Sequence, residues 1–226
     1  MDSDNKNARI AGISFLISYL GLIVGNIIME PIIAAPVDLA NVEPNAVQLG
    51  IGILLESING IAVIGIAVMM YTILKRVNEG VALGYLGFRG VEGFLSILGS
   101  TKAASLIELS HAYNQAGPSA YFDTLSELIL ADRHWTMEML TVFFLLGALV
   151  FYLLVYKSEI MPRYVALWGF IAVALMTAMN VLVYLGIDLG FVFLIFALPI
   201  IANEFFVAIW LIVKGVNTSA LPPSST

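Results

Sequence analysis

The sequence predicts an all-α integral membrane bundle of six transmembrane helices, with the N-terminus and the C-terminus both cytoplasmic. Three observations carry this reading. First, 60% of the 226 residues are hydrophobic and only 12% are charged, a balance that no ordinary soluble domain shows. Second, six apolar runs reach or approach the ~20 residues that a helix needs to cross a bilayer. Third, Lys and Arg alternate between connections. Lys6, Arg9, Lys75, Arg76, Lys157, Arg163 and Lys214 fall on one side of a six-span chain. Outside the spans, the other side holds only Lys102 and Arg133 among Glu30, Asp38, Glu43, Glu108, Asp123, Glu127, Asp132 and Asp188. The positive-inside rule assigns the first side to the cytoplasm.

In chain order, residues 1–9 form a polar cytoplasmic N-terminus, and Ile10–Met29 is the first span. That run is longer than a signal-peptide core and has no small-residue exit, so it reads as a retained helix. Glu30–Leu49 contains Pro31, Pro36 and Pro44 without periodicity and predicts a long outer loop. Leu49–Leu74 is the second span and Leu83–Thr101 the third, joined by the short loop KRVNEG. The third helix is expected to run past Thr101 until Gly117-Pro118 stops it, and the fourth to begin near Ser119 ahead of its apolar run Met137–Tyr156. Tyr164–Leu185 follows after KSEIMPR, with Pro162 placed where a missing N–H costs little, and Leu189–Val213 is the sixth span. Residues 10–214 make one transmembrane domain, and 215–226 read as a disordered cytoplasmic tail.

The runs ILKRVNEGVALGYLGFRGVEG, LVYKSEIMPRYVALWG and ALPIIANEFFVAIWLIVKG resemble a bacterial multi-pass membrane family catalogued as domain of unknown function 4386. The resemblance covers Ala8 to Gly215, and its matching positions include Glu56, Arg76, Arg89, Glu92, Arg133 and Glu204. It implies a six-span protein of the bacterial cytoplasmic membrane and implies no activity.

Two constellations are candidates for chemistry. Arg89 and Glu92, three apart on a helix, can share the cost of leaving water inside an apolar segment. Gly84, Gly87, Gly90 and Gly93 predict a ridge that lets neighbouring helices come close. Counting about 1.5 Å per residue from the cytoplasmic ends places Glu92 and Glu204 roughly 15 Å deep, near mid-bilayer, with Asn203 beside Glu204. This is a buried polar centre suited to a proton, a cation or a small polar solute. The second group is outer: Glu108 with His111, His134 with Glu138, and Glu56 at similar depth. Carboxylate–histidine pairs on facing helices suit zinc, iron or manganese, but solvated interfacial polarity is the favoured account of them, and no metal is assigned. With no cysteine, no phosphate-binding loop and no nucleophile elbow, no cofactor is implied and an enzyme is disfavoured. A net charge of −6 argues against nucleic acid, which leaves the lipid bilayer and a small solute or ion as partners. The functional readings are a transporter or solute-binding protein, a non-catalytic sensor or scaffold, and a metal-dependent membrane enzyme.

Overall fold

A computed structural model describes residues 3–187 and 189–222; Met1, Asp2, Asp188 and the tail positions 223–226 lie outside the described residues. The helices are α1 (Ser3–Ile33), a short α2 (Leu39–Val42), α3 (Ala46–Leu74), α4 (Glu79–Ala116), α5 (Ala120–Ser158), α6 (Arg163–Tyr184) and α7 (Phe193–Val213), and no strand occurs among the described residues. Six helical segments are long and apolar enough to cross a membrane. The chain is therefore a multi-pass membrane protein.

The ends of the helices follow local chemistry. Asn78 Oδ1 accepts from Val81 N at 3.0 Å and caps α4, whose far end stops at Gly117 with φ +85° before Pro118. After α6, Ile187 N donates to Leu182 O and Gly186 N to Val183 O, with Gly186 at φ +74°, a Schellman ending that needs glycine. The extended α4 and the early start of α5 match expectation. The long outer loop does not: α1 continues through Pro31 to Ile33, and α2 and a 3₁₀ turn (Glu43–Asn45) occupy most of the remainder. Proline near a helix end removes few ladder bonds, and Asp38 accepts from Ala40 N at 3.1 Å to start α2. The N-terminal segment is also helical from Ser3. In the tail, Val216 N donates to Asn5 Oδ1 and Asn217 N to Ile160 O, both at 2.9 Å, so residues 215–217 are held by side-chain and backbone bonds.

The chain divides into two compact units. The first comprises Met1–Leu16, Ala62–Glu92 and Thr141–Thr226. Its core contains Met70, Tyr85, Tyr152, Leu154, Met161 and Leu211, and α6 packs along α7. Close backbone approach explains its cohesion, because a Cβ at Gly12 would lie 2.7 Å from Ala208 O. The second comprises Ile17–Ile61 and Gly93–Leu140. Met29, Ile32, Val42, Leu49, Ala103 and Leu106 form its core, and a Cβ at Gly60 would lie 2.5 Å from Gly93 O. The expected glycine ridge on α4 is corrected in part: Gly93 O is the atom that Gly60 approaches, but hypothetical Cβ atoms at Gly87 and Gly90 meet nothing within 4 Å. Lipid-sized apolar side chains such as Leu20, Ile27, Leu54 and Ile61 stay exposed, as a helix in lipid requires.

Candidate functional site

The buried centre of the first unit is built on Arg89. Its stem lies against Gly147 of α5, where a Cβ would come within 2.8 Å of Arg89 Cδ, so glycine there makes the seat. Its guanidinium carbon sits 5.9 Å from the ring centroid of Phe15 and 5.5 Å from that of Phe144, two aromatic faces that favour a cation out of water. Nη1 is 3.0 Å from Glu92 Oε2 and 3.9 Å from Glu204 Oε1. Arg89, Glu92 and Glu204 are 3%, 5% and 7% exposed. At 3.0 Å the first contact is an ion pair by distance without the angles of a hydrogen bond, and Glu92 Oε2 receives none among the described residues. The charge attraction persists at this separation, since it depends on distance far more than on angle.

Asn203 stands next to this centre in sequence, but its amide is committed elsewhere. Its Oδ1 accepts from Tyr152 OH at 2.7 Å and its Nδ2 donates to Val165 O at 3.1 Å, tying α5, α6 and α7. Gly169 permits this, because the Tyr152 ring occupies the space where a Cβ would sit, at 2.4 Å. The neighbouring ring of Tyr85 is 1% exposed and lies tilted by 34° against Phe151, with centroids 5.8 Å apart.

The second unit holds a different charged pair, which the sequence reading did not join. Arg133 donates from Nη1 to Glu56 Oε2 at 2.9 Å and from Nη2 to Glu56 Oε1 at 2.8 Å, and Nη1 also reaches Gly99 O at 2.6 Å. This two-pronged geometry satisfies both carboxylate oxygens. Beside it, Ser18 donates to Asn59 Oδ1 at 2.6 Å, Asn59 Nδ2 to Ser96 Oγ at 2.9 Å and Ser96 to Glu56 O at 3.3 Å. One signal was available in the sequence: an acid inside an apolar span requires a cation, and Arg133 is one of few basic residues assigned to that side.

The outer residues are not gathered into one group. Glu56 belongs to Arg133. His111 Nδ1 lies 2.7 Å from Glu43 Oε1 and its Nε2 lies 2.7 Å from Gln115 Nε2, while Asn114 donates to Glu43 Oε2 at 2.6 Å. His134 packs edge-on against Trp135 with centroids 5.3 Å apart. Among the described residues, no three His, Asp or Glu side chains come together as metal ligands, so Glu108, His134 and Glu138 do not join His111 or Glu56 in such a group. The hydrogen bond to Glu43 is the main influence raising the His111 pKa, while Glu43 is held low, first by Asn114 and then by His111.

Fold and polar interior together define an all-helical, multi-pass membrane protein in which arginine–glutamate pairs are built into membrane-length helices. The chain belongs to the family described as domain of unknown function (DUF4386), whose profile matches residues 10–215. No curated protein and no solved structure matches it.

Proposed function

We propose that this protein is an ion-binding membrane protein, of carrier type, that takes up a proton or a monovalent cation at the Arg89–Glu92–Glu204 centre. The observation that carries the reading is the charge count: two buried carboxylates face one buried guanidinium. When all three groups are ionised, two carboxylates share this one guanidinium out of water, an arrangement that costs several kcal/mol. A proton on one carboxylate, or a cation at the carboxylate oxygens, removes that cost. The charges acting on Glu92 are those of Arg89 and Glu204, so uptake at one acid is felt by the other.

The test is thermal unfolding of the detergent-solubilised protein across pH, with sodium, potassium and lithium chlorides compared at equal ionic strength. Wild type is expected to gain stability with one cation or with falling pH. Glu204→Gln is expected to fold but to lose that response. A wild-type protein indifferent to both pH and cation would overturn the proposal. A scaffold is the second reading, favoured by the Glu56–Arg133 pair, in which both carboxylate oxygens accept from the guanidinium and which locks helix register without needing a ligand.

A further inference from the structure

In the first unit, the end of α7 and the connection from α5 to α6 enclose an open cavity of about 390 Å³. It exists because Gly215, at φ +72°, turns the chain back off α7, and Asn217 N then donates to Ile160 O at 2.9 Å, holding the turn against the connection. Arg163, Trp210 and Lys214 line it together with Glu159. Glu159 Oε1 accepts from Arg163 Nη2 at 2.6 Å, and the Tyr156 ring lies 5.5 Å from the guanidinium carbon. The guanidinium is thereby held in place, with no hydrogen bond from Nη1 or Nε to other described residues. Lys214 likewise makes no ion pair among the described residues. Two cations against Glu159 leave the lining with one positive charge in excess.

An apolar flank adjoins the charged rim. Leu167 and Ile171 follow Arg163 on the same face of α6 at i+4 and i+8 and are 51% and 63% exposed. Ile209 and Val213, also exposed, lie beside Trp210 and Lys214 on α7. Arg163 opens one membrane-length helix and Lys214 directly follows another, so the cavity is at the level where headgroups meet acyl chains.

We infer that this cavity binds an anionic phospholipid. Its phosphate sits at Arg163 and Lys214, the indole of Trp210 lies at the interface, and an acyl chain runs down the Leu167–Ile171 face. A free phosphate would use the cations and leave the adjoining apolar face unused. A zwitterionic lipid would use that face, but its own cationic group would oppose the excess positive charge of the rim. The pairing of both features selects a ligand with both. The inference is independent of the Arg89 centre.

Native mass spectrometry of the full-length protein in mild detergent tests it, after equilibration with phosphatidylglycerol or phosphatidylcholine of matched acyl chains. Phosphatidylglycerol is expected to stay bound in preference. The Arg163→Gln/Lys214→Gln double variant should reduce its retention about tenfold, to the level of phosphatidylcholine, while leaving the melting temperature without lipid unchanged. If the double variant aggregates, the Lys214→Gln single variant, altered at an exposed side chain, should still lose part of the preference. Equal retention of the two lipids, or unchanged phosphatidylglycerol retention in whichever variant folds, overturns the proposal. Millimolar inorganic phosphate that displaces phosphatidylglycerol would overturn it too, by showing a site for the free anion.

Discussion

At the scale of single residues, the two buried arginines meet their acids in different geometries. Glu56 meets Arg133 with both oxygens, whereas Arg89 draws two acids to one nitrogen at 3.0 and 3.9 Å. Arg89→Met therefore leaves two buried acids facing each other, and we expect it to cost about 3–5 kcal/mol, the usual result of removing one partner of a buried pair. Arg89→Met/Glu92→Gln should recover part of that loss, because only Glu204 then needs a proton. Chemical or thermal unfolding in one detergent checks the order, and a single variant as stable as wild type would remove the pair from the centre. The exposed pair has its own signature. Glu43 raises the His111 pKa above the ordinary imidazole value of about 6.5, so the stabilisation from His111 is full below that value and is lost as pH rises through the higher folded one. Glu43, held low, gives stabilisation that is lost only as pH falls through its lowered value. An NMR titration of the His111 ring should show a raised midpoint that drops in Glu43→Gln; a midpoint already at the ordinary value in wild type would dismiss the contact. Protonation also makes Nε2 a donor, so the Gln115 amide should turn to present its oxygen.

At the scale of elements, the glycines separate what was legible in the sequence from what was not. A three-residue step turns an α-helix by about 300°, so glycines at every third position march around it instead of lining one face. The structure accordingly leaves Gly87 and Gly90 against nothing within 4 Å, while Gly93, the last of the series, meets Gly60, and Gly12 and Gly169, outside the series, are further points of close approach. Gly87→Ala should be neutral or stabilising by about 0.5–1 kcal/mol, since alanine restricts the unfolded chain and suits a helix. Gly60→Ala should destabilise, because its Cβ would press on the backbone at Gly93 O. Melting temperatures of the two variants in detergent check this, and the opposite order would refute the packing described. The Arg89–Glu92 pair was readable because both partners lie within one helical turn of one segment. Glu56 and Arg133 are 77 positions apart, and no local rule joins them; only the cost of an unanswered buried charge hints at a partner. Pro31 misled in the opposite direction, since a proline close to a helix end interrupts few bonds and α1 simply continues.

At the scale of the whole molecule, the six membrane-length helices leave orientation to be decided by charge. The connections after the second and fourth spans carry Lys75, Arg76, Lys157 and Arg163, and the two ends of the chain carry Lys6, Arg9 and Lys214. Acidic residues contribute little to orientation, so the excess of Asp and Glu elsewhere does not enter this expectation. Moving any one of these basic clusters across a bilayer is opposed by the others, because six spans place all of them on the same side. Reporter fusions at Val77, at Glu159 and after the last residue are therefore expected to give a cytoplasmic signal, and fusions at Asn41, Ser119 and Ile187 an external one. The C-terminal fusion decides most. A cytoplasmic signal there requires an even number of crossings from a cytoplasmic N-terminus, whereas an external signal would mean that one of the six helices lies along the membrane or stays out of it. The least secure is the third, whose apolar run contains both Arg89 and Glu92 and has the lowest hydropathy of the six. If the Ser119 fusion reads external in wild type, that helix crosses with its ion pair inside. Repeating the fusion in Glu92→Gln, which leaves the Arg89 charge without its nearest acid, should then lower the external signal; a signal unchanged by that substitution would show that the pair does not decide insertion.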